Sequence, residues 1–201
     1  MAEDPSKLIG FLHKAGGMKD AVRFKDSKKM IGDSAAEHSW RTALMVFVLA
    51  DELKIKINLT KALEMALVHD IVESVAGNID HVSIVKGKIT EKQKANLENK
   101  AINQLKKTMP RFSGNKIPAL WQEYEKGTTR EAKFVKAANK LETLMYLLES
   151  GSKSYDEPEI IFHYADHAVN NFPELKPVLE ELKKELKKEF KKGRISLERS
   201  R

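Results

Sequence analysis

The 201-residue sequence contains no cysteine. This removes disulfide cross-links and thiolate metal sites together, so any metal has to be held by His, Asp, Glu or Asn. It agrees with a reducing, cytoplasmic location. No apolar run approaches the ~20 residues that span a bilayer; the most apolar one, Thr42 to Ala50, is far shorter. No basic-then-apolar signal pattern opens the chain. Aromatic residues make up only 7%. No aromatic pattern accompanies the lysines of the tail, which argues against nucleic-acid binding. Repeats and long linkers are absent as well, so one domain over 1–201 is expected.

What is present is a globular composition, with 41% hydrophobic and 32% charged residues. A chain of this kind buries a substantial core under a solvated surface. The net charge is +7. Much of it lies in 173–201, where Lys183, Lys184, Lys187, Lys188, Lys191, Lys192 and Arg194 alternate with Glu180, Glu181, Glu185 and Glu189. Such a run is the solvated face of a basic C-terminal helix and its tail.

Apolar spacing is helical almost everywhere, which predicts an all-α fold. The first helix is expected over Pro5 to Ala15, ended by Gly16-Gly17. Ser34-x-x-Glu37 is a capping box and opens a second helix to about Leu53, apolar on all sides from Ala43 to Ala50 and hence central and buried. A third runs from Thr60 to about Val75, stopped by Gly77. Asn78 to Lys88 reads as loop. Thr90-x-x-Gln93 opens another helix to Thr108, and further helices are expected over Ile117 to Lys126, Thr129 to Glu149, Pro158 to Asn170 and Pro173 to Lys192.

The chemistry concentrates on the third of these. At 100° per residue Asp70 falls between Leu63 and Leu67, on the face expected to be buried, and His69 lies beside Ala62 and Glu73. A carboxylate on an apolar face is costly unless it is paired or binds a metal. His38 lies at the start of the other central helix. Two histidines and an aspartate on adjacent core helices make a metal site plausible. The bland alternative is a hydrogen-bonded core histidine beside a paired aspartate. A further ligand is expected from the long helix Thr129 to Glu149, whose apolar stripe is interrupted by Asn139 with Glu142 one turn later. His163 and His167 also have metal-compatible spacing, but no carboxylate pattern joins them to this site. Asp166 between them is expected to face solvent, and Trp121 and Tyr124 to be packing residues. His13 and His81 carry no assignment.

The segments Ala36-Glu37-His38-Ser39, Ala66-Leu67-Val68-His69-Asp70-x-x-Glu73 and Gly77-Asn78 resemble the HD-domain metal-dependent phosphohydrolases, and within them the 5′-deoxynucleotidase branch. Trp121 to Glu125 and Glu131 to Lys136 extend the resemblance, which spans roughly Leu8 to Leu182. It implies a helical HD-domain bundle that binds one divalent transition metal ion (Co, Mn, Zn, Ni or Fe) through His38, His69 and Asp70. It implies Glu73 as the acid-base residue at the attacking water. Arg23 matches the arginine that grips the substrate phosphate, and Phe24 the aromatic residue that helps select deoxyribose. The implied substrate is a deoxyribonucleoside 5′-monophosphate, and the implied assembly a homodimer. Two positions depart from the pattern. Asn139 stands where the branch carries its fourth ligand, an aspartate, and Asn78 stands where an acidic residue follows Gly77; Asp80, two residues on, is the candidate to compensate for Asn78. Both changes replace a carboxylate by a neutral near-isostere that holds a divalent cation less strongly. They motivate an alternative, a degenerate HD protein that binds nucleotide or metal with little turnover. A guanosine-tetraphosphate hydrolase ranks lower, because Ser74 follows Glu73 where such enzymes have adjacent acidic residues. A non-catalytic basic scaffold ranks last, because it leaves Asp70 and the histidines unexplained.

Overall fold

A computed structural model describes residues 4–27, 29–80, 83–84, 86–155 and 157–195. Among them all regular structure is helical apart from one isolated bridge, Val22 to Ser34. Helix α1 (Pro5–Ala15) starts at Asp4, whose side chain accepts the Ser6 N–H. Helix α2 (Ala35–Glu52) starts at Ser34, with both halves of the predicted capping box in place. Helix α3 (Leu59–Val68) is capped by Asn58. Helix α4 (Glu73–Ala76) is a single turn. Helix α5 (Glu91–Thr108) begins at the Thr90–Gln93 capping box. Then come α6 (Arg111–Lys126), α7 (Arg130–Ser150), α8 (Pro158–His163), α9 (Asp166–Asn170) and α10 (Lys176–Lys192).

Helices α2, α3 and α7 pack on one another at the centre, and α10 packs on α7. Val46, Ala62, Met65, Ala66, Ala138, Leu141 and Leu144 fill the space between the central three. Small residues at 62, 66 and 138 bring these backbones close, which is what lets side chains from three helices meet at one point. The lysine-rich α10 is solvated on one side only; Leu179, Leu182, Leu186 and Phe190 are buried on the other.

Several sequence expectations need correction. Helix α2 is not buried all round: Trp40, Leu44, Phe47 and Val48 form a stripe 44–66% exposed. The helix expected from Thr60 to Val75 ends at Val68, and Leu67 is 62% exposed. The buried face of α3 is therefore the one carrying Ala62, Met65 and Ala66, not the Leu63–Leu67 side. Helix α6 starts at Arg111, six residues earlier than expected, and carries Pro118 internally. Pro110 forms its N-cap and closes off α5, so a new helix begins at once. The segment expected as one helix from Pro158 to Asn170 is broken between His163 and Asp166.

Candidate metal centre

The end of α3 sets the geometry of the site. After Val68 the backbone changes to i→i+3 hydrogen bonds, with Ile71 N–H donating to Val68, Glu73 N–H to Asp70 and Ser74 N–H to Ile71. At three residues per turn, residues three apart eclipse. Asp70 and Glu73 therefore look the same way, which the 100° arithmetic of a continuous helix does not give. His69 is the hinge between the two geometries. Its Nδ1 donates to the Ala66 carbonyl at 2.7 Å, which leaves Nε2 free to ligate.

His38 approaches from the first turns of α2. Its Nδ1 donates to Glu142 Oε2 from α7, which again leaves Nε2 free. The two Nε2 atoms are 3.4 Å apart, and Asp70 Oδ2 is 3.1 Å from that of His69 and 3.6 Å from that of His38. Three ligand atoms thus converge within 4.8 Å of one another. Both imidazoles are oriented by acceptors behind them, the arrangement that fixes the tautomer of metal-binding histidines. The donor set fits a divalent transition metal. Asn139 of α7 lines the same cavity. Its amide donates to the Tyr124 hydroxyl at 2.8 Å, so the amide oxygen is the atom left to offer a cation. Tyr124 does more than pack: its ring meets His69 edge-on at 5.1 Å.

Burial and the nearby Arg23 charge push His38 down to about 4, against the pull of Glu142, so it is neutral and able to ligate at ordinary pH. Burial raises the Asp70 carboxyl, but the His69 and His38 rings more than offset this and hold it below the carboxylate range. His69 is moved up despite its burial, chiefly by Asp70. The point between these groups favours a positive charge. Glu73 behaves oppositely. Burial and the Asp70 charge raise it well above a free glutamate, against the hydrogen bond from Asn78 at 2.8 Å. Its second oxygen is buried without a partner.

A cavity of about 620 Å³ opens onto this centre, and every residue to which the HD-domain resemblance draws attention as ligand, acid-base group or substrate contact lines it. Arg23 is buried, and its guanidinium donates to Asp33 at 2.9 Å, Glu142 at 3.4 Å and Thr143 at 2.7 Å. Phe24 has a left-handed backbone, φ 55°, and its N–H donates to Asp80 Oδ1 at 3.0 Å. Its ring stacks on Tyr146 with centroids 5.7 Å apart. Asp80 thus holds the loop that carries Arg23 and Phe24, and Asn78 touches Glu73.

His163 and His167 are exposed. His163 pairs with Asp166, which is half-buried and also takes Lys183, so Asp166 does not simply face solvent. His81 lies outside the described residues. Sequence reasoning gave no role to Glu142. The available signal was an acid one turn beyond Asn139 on an apolar helix stripe. Its partners, Arg23, His38 and Arg41 at 2.9 Å, come from segments about 100 residues away.

Comparison with known proteins agrees with this geometry. A family model for the HD domain matches residues 15–183. The 5′-deoxynucleotidase HDDC2 of Mus musculus is 27% identical over 180 residues, covering 87% of this chain and 85% of that protein. The protein of the same name from Xenopus laevis is 32% identical over 146 residues, covering 71% and 68%. Among solved structures, a predicted metal-dependent phosphohydrolase from Magnetospirillum magnetotacticum superposes with a TM-score of 0.74 at 24% identity, covering 96% of this chain and 98% of that one. The cyanophage S-2L HD phosphohydrolase, bound to dA and one catalytic Zn²⁺ ion, gives a TM-score of 0.51 at 18% identity over 90% of this chain and 94% of that one. With its HD-domain match over most of the sequence and two histidines meeting an aspartate at the centre of the bundle, the chain belongs to the HD-domain family of metal-dependent phosphohydrolases.

Proposed function

We propose that the protein is a 5′-deoxynucleotidase, releasing phosphate from deoxyribonucleoside 5′-monophosphates. The observation that carries this is the convergence of His38 Nε2, His69 Nε2 and Asp70 Oδ2 with Glu73 facing the same side. Those three residues, with the Asn139 amide oxygen, would hold one divalent transition metal ion. When bound, such an ion polarises the phosphate and lowers the pKa of water.

The chain's own residues supply the rest. Glu73 takes a proton from the attacking water as its oxygen bonds to phosphorus. The P–O5′ bond breaks, and the leaving sugar oxygen takes up a proton from solvent. Asn78 donates to one oxygen of Glu73 and leaves the other to work. Arg23, held rigid by Asp33, Glu142 and Thr143, places a fixed positive charge beside the phosphate. Asp80 acts through Phe24, whose ring forms part of the wall for the sugar. The relatives named 5′-deoxynucleotidase and the neighbour bound to dA support this substrate class.

A second reading is a protein that binds nucleotide and metal with little turnover. It is favoured by Asn78 and Asn139 standing where carboxylates were expected. One experiment separates them. Protein purified without chelator is analysed for metal and assayed for phosphate release from dAMP and dCMP, beside E73Q. The nucleotidase reading expects stoichiometric metal in both proteins and turnover only in the unaltered chain. Metal without turnover in either leaves the binding reading standing, and equal turnover in E73Q removes Glu73 from the mechanism. A cytoplasmic location and a homodimer belong to the same reading, supported by the cysteine-free sequence and by the exposed α2 stripe.

A further inference from the structure

Asn139 is the neutral member of the donor set beside Asp70, and its chemistry makes a demand that a carboxylate in its place would not. A carboxylate has two equivalent oxygens, and either one serves a cation. An amide has one oxygen and one NH₂ group, and the wrong orientation turns N–H donors toward the positive charge. The amide therefore needs an acceptor on its far side, one that takes the NH₂ and leaves the oxygen for the centre. His38 and His69 already have such acceptors, in Glu142 and the Ala66 carbonyl.

Tyr124 is the acceptor for Asn139. Its hydroxyl takes the Asn139 N–H at 2.8 Å. Both residues are buried, and both line the cavity. They stand on α6 and α7, which pack on each other and are joined by a tight turn. Gly127 ends α6 in a left-handed conformation, φ 63°, and Thr129 caps α7 while its hydroxyl donates to Glu123 at 2.6 Å. The Tyr124 ring is itself held from two sides. The His69 ring meets it edge-on with centroids 5.1 Å apart, and the Lys136 ammonium lies 4.3 Å from its centre. The place of the hydroxyl is thereby fixed.

We propose that Tyr124 is the positioning residue for the fourth ligand, and that the amide at 139 makes metal binding depend on its hydroxyl. This rests on the reading that Asn139 joins His38, His69 and Asp70 in holding a divalent ion. The N–H that Asn139 donates does more than orient the amide. It draws electron density toward the amide oxygen and strengthens that atom as a ligand. With aspartate at 139 the sign reverses. The hydroxyl would then have to donate, and it would draw charge away from the ligating carboxylate. Tyr124 thus offsets part of the charge that this chain lacks at 139.

The test is the Zn²⁺ affinity of the full chain, measured by competition with a chromophoric chelator, in a double-mutant cycle. Y124F keeps the ring between His69 and Lys136 and removes only the hydroxyl. It should weaken Zn²⁺ binding by about 10–100-fold in the unaltered background. In N139D and in N139A the same Y124F change should move the affinity by less than about threefold. An unchanged affinity in Y124F overturns the proposal. An equal loss in all three backgrounds overturns it as well, because Tyr124 then acts through His69 and not through the amide. The readout needs no turnover. Failure of the Zn²⁺-loaded unaltered chain to hydrolyse dAMP would count against the nucleotidase reading alone, and a Y124F affinity equal to that of the unaltered chain against Tyr124 alone. No Zn²⁺ binding by the unaltered chain would overturn both.

Discussion

Glu73 keeps one carboxylate oxygen buried without a partner, and burial together with the Asp70 charge works against its ionisation. The carboxyl is consequently raised well above its ordinary value of 4.5 in the folded protein. A group raised on folding contributes stability below its unfolded pKa and loses it as pH rises through the folded one. At neutral pH, above its unfolded value, Glu73 therefore costs stability in the metal-free protein. E73Q should unfold at higher urea concentration than the unaltered chain at pH 7, by about 1–2 kcal/mol. The gain should shrink as pH falls toward 4. Paired urea melts across that range check this, and a gain that grows in acid would contradict it. Glu142 is the opposite case. Burial works against its charge, but His38, Arg23 and Arg41 more than compensate and hold it below a free glutamate. By orienting His38 it would tune a bound metal from behind. E142Q should weaken metal binding by about 10–100-fold, measured by competition with a chromophoric chelator. The roles of both acids follow from distances that only folding sets.

At the scale of elements, the capped helix starts were legible because the signals are local. Ser34 with Glu37 and Thr90 with Gln93 satisfy amides within one turn, and both boxes are in place. The end of α3 was not legible. A continuous apolar period runs past Val68 in the sequence. The switch to i→i+3 bonds is set by His69 reaching back to the Ala66 carbonyl and by its pull toward Asp70 and His38. The residues of the candidate metal site were thus picked out by type, while the helical face assigned to them was wrong. The C-terminal helix shows the reverse. Its charge run was read correctly as a solvated face, but its buried side gives it structural weight. Leu186 is wholly buried there. L186A should destabilise the protein by about 2–5 kcal/mol in denaturant melts. A change under 1 kcal/mol would mean that α10 is only loosely docked.

For the whole molecule, no helix among the described residues is long and apolar enough to cross a membrane. The apolar surface of α2 needs another explanation. Trp40 and Phe47 are 66% and 53% exposed, with Leu44 and Val48 beside them. A contiguous stripe of this kind marks an interaction face more often than an idle surface. The expected occupant is a second copy of the chain, in keeping with the tendency of soluble oligomers to be symmetric dimers. F47E should convert a dimer to a monomer in light-scattering chromatography with its helical content unchanged. A monomeric unaltered chain would refute the homodimer.

The sequence by itself determined the helical class and the main caps, and it singled out the residues of the candidate metal site, because these depend on period, local hydrogen bonding and residue chemistry. The same residues carried the HD-domain resemblance, which the comparison with known proteins supports. Only the tertiary structure decided that Glu142 orients His38, that Asn78 serves Glu73, that Asp80 serves Phe24, and that α2 leaves an apolar face uncovered. Each of these depends on which helix lies against which. Contacts between residues about 100 positions apart leave no period in the sequence, and the packing of α2, α3 and α7 creates them.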